Sequence, residues 1–369
     1  MMKYIAIGIS LLLSLGLVPL IIAICKKFSL YDEVDPRKIH QGNIPRLGGI
    51  AVFLSFVIVS LLYTRFFMPG EMIKVWPLLA GGAIILVAGI IDDLFNLPAK
   101  LKFVIQAVAA LVVALSPFNF TQFFAWHMPV VISKILTFFW ILALVNAYNL
   151  IDGMDWICSG ISFLAIFTIS IILRMEGVNY YIIGFILCAA ILGFMFWNRP
   201  PAKIFLGDGG SQTLGYVIAV LPIISNTNAD INFGKILGVI LLTSIPTTDV
   251  LAAVWRRLRD HRKIFSADRA HIHHKLLNVG FGKNSAIFFI LLLQIFVCFS
   301  VLLAYVSDRN IGCVIMVFMF IVIESVFVTF HYLNHNVNLR NAGKLQSNPQ
   351  EEHGFKDMAK DKSKEKENE

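Results

Sequence analysis

The chain has 369 residues, of which 57% are hydrophobic and 15% charged, and its mean hydropathy is +0.76. A soluble globular protein of this length needs more polar surface than this composition supplies. The sequence therefore indicates an integral membrane protein and excludes a purely soluble one. The formal net charge of +8 favours anionic lipid head groups and anionic ligands as partners.

Stretches with the length and apolar character of membrane spans recur along the chain. They cover residues 4–25, 47–67, 75–91, 101–116, 130–150, 157–173, 180–197, 212–224, 236–254, 285–305 and 311–332. Since each must cross about 30 Å of hydrocarbon, we predict an all-α, polytopic membrane protein with about eleven transmembrane helices. No convincing internal repeat is visible in the sequence, which disfavours the inverted-repeat transporters.

The basic residues test this arrangement, because Lys and Arg accumulate in cytoplasmic loops. If the loop after the first span is cytoplasmic, 24 of the 31 Lys and Arg residues fall on the cytoplasmic side. This predicts an N-terminus outside, a C-terminus in the cytoplasm, and a first span kept as a helix instead of being cleaved as a signal. Residues 1–337 form the predicted transmembrane domain with its cytoplasmic loops, and residues 338–369 form a charged, disordered tail.

Four polar side chains close the apolar stretch that begins near residue 130: Asn146, Asn149, Asp152 and Asp155. Steps of three residues turn about 300° in a helix, so an unbroken helix would spread these groups over about half its circumference. Gly153 allows the helix to end and the following loop to bend the last three groups toward one point. Oxygen ligands gathered in this way suit a hard divalent cation. A polar helix end without a ligand is the alternative.

Two further acidic motifs fall at span ends on the same predicted side. Asp92 and Asp93 end the third span, where adjacent carboxylates oppose the helix dipole and need a metal ion or a cation such as Lys100 or Lys102. Asp208 is flanked by glycines at a helix start, where backbone N–H groups can receive an anion. The pattern matches neither GxxxxGK[ST] nor GxGxxG, which excludes P-loop and Rossmann sites. A solvated Asp-Asp turn and a structural glycine turn are the alternatives.

Basic residues in the cytoplasmic loops are candidate ligands for phosphate or sugar groups. They are Arg37 and Lys38 in the first loop, and Arg269, His271, His273 and His274 in the loop after residue 254. A His-x-His-His run without Cys or a spaced third ligand is a poor zinc set, so N–H donation to a sugar or diphosphate is favoured. The basic run has no interleaved aromatic residues, which argues against a nucleic-acid partner. Topogenic charge without a ligand role is the alternative.

Taken together, these motifs resemble one family, the polyprenyl-phosphate N-acetylhexosamine-1-phosphate transferases. The similar segments are 32–40, 92–96 (DDxxN), 146–155 (NxxNxxDGxD), 205–211 and 268–274, in the family's order between residues of about 20 and 285. The last segment, DRAHIHH, is more similar to the branch that primes O-antigen and teichoic acid than to the muramyl-pentapeptide branch. Trp156 stands where the family usually has Gly, which raises the question of whether it narrows the donor pocket or changes the sugar specificity.

The resemblance implies a reaction. A sugar 1-phosphate, with GlcNAc-1-phosphate favoured, would pass from a UDP-sugar to undecaprenyl phosphate, giving undecaprenyl-diphosphate-sugar and UMP. Mg²⁺ would be required, with Mn²⁺ as the alternative ion. Transfer of phospho-MurNAc-pentapeptide is the nearer rival, and a membrane transporter is the rival from another class.

The resemblance also implies roles for the residues. Asp208 and then Asn149 are the expected metal ligands, while Asp92 and Asp93 position or deprotonate the lipid phosphate in an order left open. Asp155 is expected at the uracil edge with Asp152 supporting it. The other expected substrate contacts are Arg37, Lys38, Lys100, Lys102, Asn146, Arg269, His271, His273 and His274. The protein is expected in the bacterial inner membrane with its site on the cytoplasmic face, and a homodimer is left open.

Overall fold

A computed structural model describes residues 1–31, 44–120, 122–123, 126–224, 233–263 and 271–341. The helices in these ranges are α1 (Met2–Lys27), α2 (Gly48–Phe67), α3 (Met72–Phe95), α4 (Ala99–Ala114), α5 (Val130–Ile151), α6 (Ile157–Met175), α7 (Tyr181–Asn198), α8 (Gly207–Ile224), α9 (Phe233–Leu242), α10 (Ser244–Arg259), α11 (Ile272–Val279), α12 (Lys283–Val306) and α13 (Arg309–Asn341). A short antiparallel hairpin, β1 (Gln122–Phe123) and β2 (Trp126–His127), pairs residue 122 with 127. The candidate loop residues Arg37, Lys38 and Arg269 lie outside the described ranges.

The protein is a polytopic, helical membrane protein. Within the described ranges, eight helices are long and apolar enough to cross a membrane: α1, α2, α3, α5, α6, α7, α12 and α13. The predicted number of eleven is not confirmed. Helix α4 has 16 residues, about 24 Å of rise, which is less than the hydrocarbon thickness of about 30 Å. Helix α8 has 18 residues and begins with a polar turn.

The ninth predicted span, 236–254, is interrupted. Helix α9 ends at Leu242 and α10 begins at Ser244. Pro246 lies in the first turn of α10, where a missing backbone N–H is tolerated, whereas inside a continuous helix its ring would clash with the preceding turn. The last helix, α13, continues to Asn341, past the predicted domain boundary at residue 337. The orientation in the membrane and the domain boundary both stay predictions.

Helix α8 is the centre of the bundle. All of its residues except Asp208 and Pro222 are buried, and it packs against α2, α3, α5 and α6. A helix that is buried on every side has its neighbours, and not lipid, as its environment. On the periphery, α1 packs on α2 and α7, and α12 packs on α6 and α13.

Small residues allow the backbones of α2 and α3 to approach the start of α8 closely. A Cβ added at Gly89 of α3 would overlap Gly209 of α8, and one added at Gly49 of α2 would overlap Gly210. Close contact between small residues is a main source of helix association in membranes, because lipid supplies no hydrophobic drive between helices. The first turn of α8 is therefore held between the end of α3 and the start of α2.

This packing predicts opposite effects for two Gly→Ala substitutions. Gly16 of α1 has nothing within 4 Å of an added Cβ, so Gly16→Ala should be neutral or stabilise the protein by up to about 1 kcal/mol through helix propensity. Gly89→Ala should instead destabilise it by about 1–3 kcal/mol, because α3 and α8 must move apart. Thermal unfolding of the two purified variants checks this. An unfolding temperature for Gly89→Ala equal to that of Gly16→Ala would contradict the contact.

Candidate active site

The end of α3 and the beginning of α8 are joined through one carboxylate. Asp93 accepts backbone N–H bonds from Asp208, at 3.0 Å, and from Gly209, at 3.2 Å. The first N–H groups of a helix have no partner within the helix, and a negative charge there interacts favourably with the helix dipole. The Asp93 side chain is 2% exposed, so these bonds are shielded from water. Asp93 thus anchors α8 as well as contributing charge.

Lys102 of α4 connects the two other carboxylates. Its ammonium group pairs with Asp92 and lies 3.5 Å from Asp208 Oδ2. The other Asp92 oxygen accepts the backbone N–H of Leu97 at 2.8 Å, just after Asn96 ends α3 in the left-handed conformation. Asp92 is buried, but the Asp208 side chain remains 22% exposed. Asp208 is therefore the carboxylate of this group that a ligand reaches most readily.

The segment before α2 runs beside the segment before α8. Gly48 and Gly49 donate backbone N–H bonds to Phe205 and Leu206, at 3.0 and 2.8 Å, and Phe205 donates to Pro45 at 2.7 Å. These three bonds fix the backbone of residues 45–49 against that of residues 205–206. The glycine-rich motif around Asp208 is thus clamped from the α2 side as well as from α3.

Arg46 brings a second cation into the carboxylate group from this clamped segment. Its Nε lies 3.7 Å from Asp93 Oδ1, and its Nη2 lies 3.6 Å from Asp208 Oδ1. The two oxygens of Asp208 therefore face different cations, Arg46 on one and Lys102 on the other. We call the group formed by Asp92, Asp93, Asp208, Lys102 and Arg46 the charge cluster.

The polar end of α5 approaches the charge cluster through Ser211. Ser211 Oγ lies 3.0 Å from Asn149 Oδ1 and 3.1 Å from the carbonyl oxygen of Gly207. One turn further, Asp152 ends α5 in a half-buried position. Burial, and to a smaller extent the nearby carboxylate of Asp208, raise the pKa of Asp152 to about 8. The two motifs therefore share one electrostatic environment.

Three amide side chains, two buried and one half-buried, lie beneath the site. Gln106 of α4 donates to Gln212 of α8 at 3.0 Å, and Asn146 of α5 donates to Gln106 at 2.9 Å and to the carbonyl oxygen of Leu142 at 2.8 Å. Each amide lies one helical turn further into the bundle than a polar group of the site on the same helix. The described contacts of Asn146 are thus with Gln106 of α4 and with Leu142 of its own helix, and the structure does not bring it into the charge cluster.

The histidine segment docks on the turn after α5. Asp249 of α10 contacts His271 Nδ1 at 2.8 Å and accepts the backbone N–H of Ile272, the first residue of α11, at 2.9 Å. The His273 ring lies so close to Gly153 that a Cβ there would overlap it. Burial, and to a smaller extent the neighbouring His274, lower the pKa of His273 to about 3, so this imidazole is neutral.

Asp155 and Trp156 connect the same turn to the segment after α7. Asp155 Oδ2 accepts the backbone N–H of Ala202 at 3.2 Å. Trp156 has a φ of +66°, which is favourable for glycine and strained by about 1 kcal/mol for other residues. Its backbone N–H donates to Asn198 and its indole N–H to Met195 of α7. The left-handed backbone at this position explains why the family usually has glycine there. In this chain the indole hydrogen bond fixes the Trp156 side chain on α7.

The structure brings most of the predicted residues to one region. Asp92, Asp93, Asp208 and Lys102 are in the charge cluster, Asn149 and Asp152 border it, and His273 contacts the turn at Gly153, whereas Lys100 is exposed. Sequence reasoning missed Arg46, Asp249, Gln106 and Gln212 as parts of this region. The one signal for Arg46 was its position directly before the Leu-Gly-Gly start of α2; the others look like ordinary residues of apolar helices.

The chemistry of these side chains can be tested against a divalent metal ion. Among the described residues, no three His, Cys, Asp or Glu side chains are arranged to hold a metal. The exposed carboxylate of Asp208, with the amide oxygen of Asn149 near it through Ser211, still offers the oxygen ligands that Mg²⁺ prefers. Arg46 and Lys102 already face the two oxygens of Asp208, so a metal ion would share this carboxylate with them. These residues fit an ion that keeps water and substrate phosphates in its shell.

The carboxylates, Lys and Arg gathered at one end of the central helix are side chains of the kind that stabilise developing charge in phosphoryl transfer, directly or through a bound metal ion. Comparison with known proteins makes the class specific. The model of glycosyl transferase family 4 matches residues 75–226. The chain belongs to the polyprenyl-phosphate N-acetylhexosamine-1-phosphate transferases of this family.

Three relatives illustrate the similarity. A Bacillus subtilis (strain 168) protein named "Probable undecaprenyl-phosphate N-acetylglucosaminyl 1-phosphate transferase" is 32% identical over 78% of this chain and 81% of its own length. An Escherichia coli (strain K12) undecaprenyl-phosphate alpha-N-acetylglucosaminyl 1-phosphate transferase is 30% identical over 71% and 73%. A Mycobacterium tuberculosis (strain CDC 1551 / Oshkosh) decaprenyl-phosphate N-acetylglucosaminephosphotransferase is 34% identical over 69% and 71%.

The raised pKa of Asp152 predicts a pH-dependent stability. The folded protein keeps this proton up to about pH 8, whereas a free aspartate carboxyl loses it at about pH 4. The stabilisation by the neutral carboxyl is complete below about pH 4 and is lost as the pH rises through 8. The Asp152→Asn variant has no such charge, so its unfolding temperature should rise relative to wild type between pH 6 and about 8.5. Equal pH profiles, measured without Mg²⁺ or substrate, would contradict the raised pKa.

The Asp249 contacts predict that this buried residue positions the histidine segment. Asp249→Asn should lower transfer activity by up to about 100-fold, as expected when binding groups are displaced, while the protein still accumulates in membranes. The matched control is Asp260→Asn, because Asp260 ends the same helix but is exposed beside Arg259. Radiolabelled sugar incorporation into lipid measures both. Full activity of Asp249→Asn would show that His271 needs no such support.

Proposed function

We propose that this chain transfers GlcNAc-1-phosphate from UDP-GlcNAc to undecaprenyl phosphate, producing undecaprenyl-diphosphate-GlcNAc and UMP. The observation that carries this is the charge cluster, which places three carboxylates and two cations at one end of α3, α4 and α8. The three bacterial relatives are named for GlcNAc transfer to undecaprenyl or decaprenyl phosphate. Their names support the donor sugar and the acceptor class for this chain.

The reaction brings two negatively charged phosphates together, so repulsion between them is its main electrostatic obstacle. Lys102 and Arg46 supply positive charge next to the reacting phosphates. Asp208, with Asn149, would hold Mg²⁺, and the bound ion would neutralise the developing charge on the diphosphate. The acidic side chains thus bind Mg²⁺ and the basic side chains, and these positive charges bind the phosphates.

Asp92 and Asp93 differ in their contacts, which supports different roles. Both oxygens of Asp93 receive N–H bonds from the start of α8, so its role is to fix Asp208. Asp92 faces Lys102, which is also close to the ligand-accessible Asp208. Asp92 is therefore our choice for orienting or deprotonating the acceptor phosphate.

The donor would lie toward the turn after α5. Asp155 and Asp152 are assigned to the uracil end, as the resemblance implies, and Trp156 holds their turn against α7. The neutral His273, together with His271 and His274, would present N–H groups to the sugar and diphosphate. Arg269 in the preceding segment is a further candidate for the diphosphate.

The acceptor would approach from the lipid along α4. Leu101, Val104, Val108 and Leu111 of this helix are all exposed and lie on one face at intervals of three or four residues. Lys102 lies in the first turn of the same helix, on the side that faces Asp92 and Asp208, and would receive the lipid phosphate at the end of this face. A polyprenyl chain lying along α4 would thereby place its head group at the charge cluster without leaving the bilayer.

The other candidates receive less support. The relatives above are named for GlcNAc and not for muramyl-pentapeptide. A transporter would line a path near the membrane midplane with paired charges, whereas the acidic residues here gather at helix ends. A cytoplasmic face for the site is supported by the distribution of Lys and Arg, and the bacterial relatives support the inner membrane.

The function is tested with purified protein, Mg²⁺, undecaprenyl phosphate and a panel of UDP-sugars, with UMP and the lipid product measured by mass spectrometry. UMP and undecaprenyl-diphosphate-GlcNAc should form together with UDP-GlcNAc. Asp208→Asn should lower this rate on the order of 100-fold to 1000-fold, as when one group that stabilises transition-state charge is removed. The control Asp308→Asn, at an exposed position between α12 and α13, should retain activity. Undiminished turnover by Asp208→Asn would reject the assigned role.

A further inference from the structure

We propose that Arg46 is a diphosphate-binding residue that opposes Mg²⁺ when the ion binds alone and favours it when the ion arrives with the nucleotide sugar. This rests on the proposed function. Neither the sequence motifs nor the relatives' names assign Arg46 a role. The inference follows from where the backbone places this arginine and from which atoms its guanidinium faces.

The backbone holds Arg46 in a fixed place. Its neighbour Pro45 accepts the backbone N–H of Phe205, and Gly48 and Gly49 donate backbone N–H bonds to residues 205 and 206. A Cβ added at Gly207 would overlap the carbonyl oxygen of Arg46, and Gly207 itself has a φ of +77°. The segment that carries Arg46 is therefore packed directly on the residue that precedes Asp208. Its side chain reaches the charge cluster from a rigid base.

The contacts of Arg46 with the carboxylates are long. They measure 3.7 Å to Asp93 and 3.6 Å to Asp208, whereas charge-assisted N–H···O bonds are about 2.7–2.9 Å. Asp93 makes its shorter bonds, 3.0 and 3.2 Å, to the backbone of α8. Arg46 therefore contributes charge to the cluster without being the group that holds Asp93 in place. At these distances the guanidinium acts on both carboxylates through its charge.

The charges at Asp208 make metal and nucleotide binding dependent on each other. Arg46 faces one oxygen of Asp208 and Lys102 the other, so a divalent ion arriving alone meets two like charges. Like charges about 4 Å apart repel each other even near a protein surface, and more strongly where water is excluded. When a diphosphate binds beside the ion, the effect of Arg46 on Mg²⁺ binding changes from unfavourable to favourable, because the guanidinium then faces phosphate oxygens. Its planar fork matches phosphate better than an ammonium group does.

This proposal predicts that removing the Arg46 charge strengthens Mg²⁺ binding and weakens UDP-GlcNAc binding. Mg²⁺ binding is measured from the unfolding temperature as MgCl2 is titrated, and UDP-GlcNAc binding by calorimetry at saturating Mg²⁺ without any lipid acceptor. In Arg46→Gln, the half-saturating Mg²⁺ concentration should fall about fivefold. UDP-GlcNAc affinity should weaken about tenfold, as for the loss of one charged hydrogen bond.

Two further variants isolate the effect. Arg46→Lys keeps the charge but not the fork, so its Mg²⁺ response should match wild type while its UDP-GlcNAc affinity falls; it also serves if Arg46→Gln does not fold. Arg65→Gln removes the same charge from the last turn of α2, at the opposite end of that helix, and should leave both constants unchanged.

Each outcome decides the inference. Opposite changes in Arg46→Gln, with Arg65→Gln like wild type, support it. If Arg46→Gln binds both Mg²⁺ and UDP-GlcNAc more weakly, Arg46 has a structural role. If it binds both as wild type does, Arg46 has no role. Either result overturns the inference. If wild-type protein does not bind UDP-GlcNAc in Mg²⁺ at all, the proposed function fails, and this inference fails with it. If wild type binds and Arg46→Gln binds equally well, only the inference fails.

Discussion

The contact between the end of α3 and the beginning of α8 is the constraint on which the rest of this structure depends. Gly89 and Gly209 let the two backbones touch, and Asp93 then accepts the first N–H groups of α8. In a membrane interior, unsatisfied backbone groups are costly, so a polar helix start can lie inside a bundle only if such a partner is present. The position of Asp208 follows from this contact.

The other functional groups are added around this joint by separate parts of the chain. The segment before α2 brings Arg46, α4 brings Lys102, and the end of α5 brings Asn149 through Ser211. The histidine segment is held by Asp249 of α10, which contacts the His271 ring and accepts the backbone N–H of Ile272. A substrate bound between these parts therefore contacts elements that are distant in sequence, and displacement of any one element changes the geometry of the whole site.

Part of this site follows from the sequence alone. The acidic groups at span ends and the excess of Lys and Arg in alternate loops predicted that the motifs share one side, and the structure does bring Asp92, Asp208 and Lys102 together. Arg46 and Asp249 could not be recognised in this way, because their partners lie far along the chain. An arginine before a glycine pair, or an aspartate in an apolar helix, has no local pattern that identifies its partner.

The span count and the turn at Trp156 show a different limit. Hydropathy does not register the backbone interruption between Leu242 and Ser244. At Trp156, the sequence suggested an effect on the donor pocket, whereas the structure gives the residue a left-handed backbone and a hydrogen bond to α7. Side-chain direction depends on tertiary contacts, which residue type alone does not determine.

The central claim is that the charge cluster binds the donor diphosphate and the acceptor phosphate side by side. The bond that breaks is then a P–O bond in the linkage between the two phosphorus atoms of the donor. UDP-GlcNAc labelled with ³²P in the phosphate next to the sugar tests this most directly, with undecaprenyl phosphate as acceptor. The account predicts that the label moves into the lipid fraction in step with unlabelled UMP release. Label that stays in water-soluble UDP while sugar enters the lipid would contradict it, because the enzyme would then transfer the sugar alone.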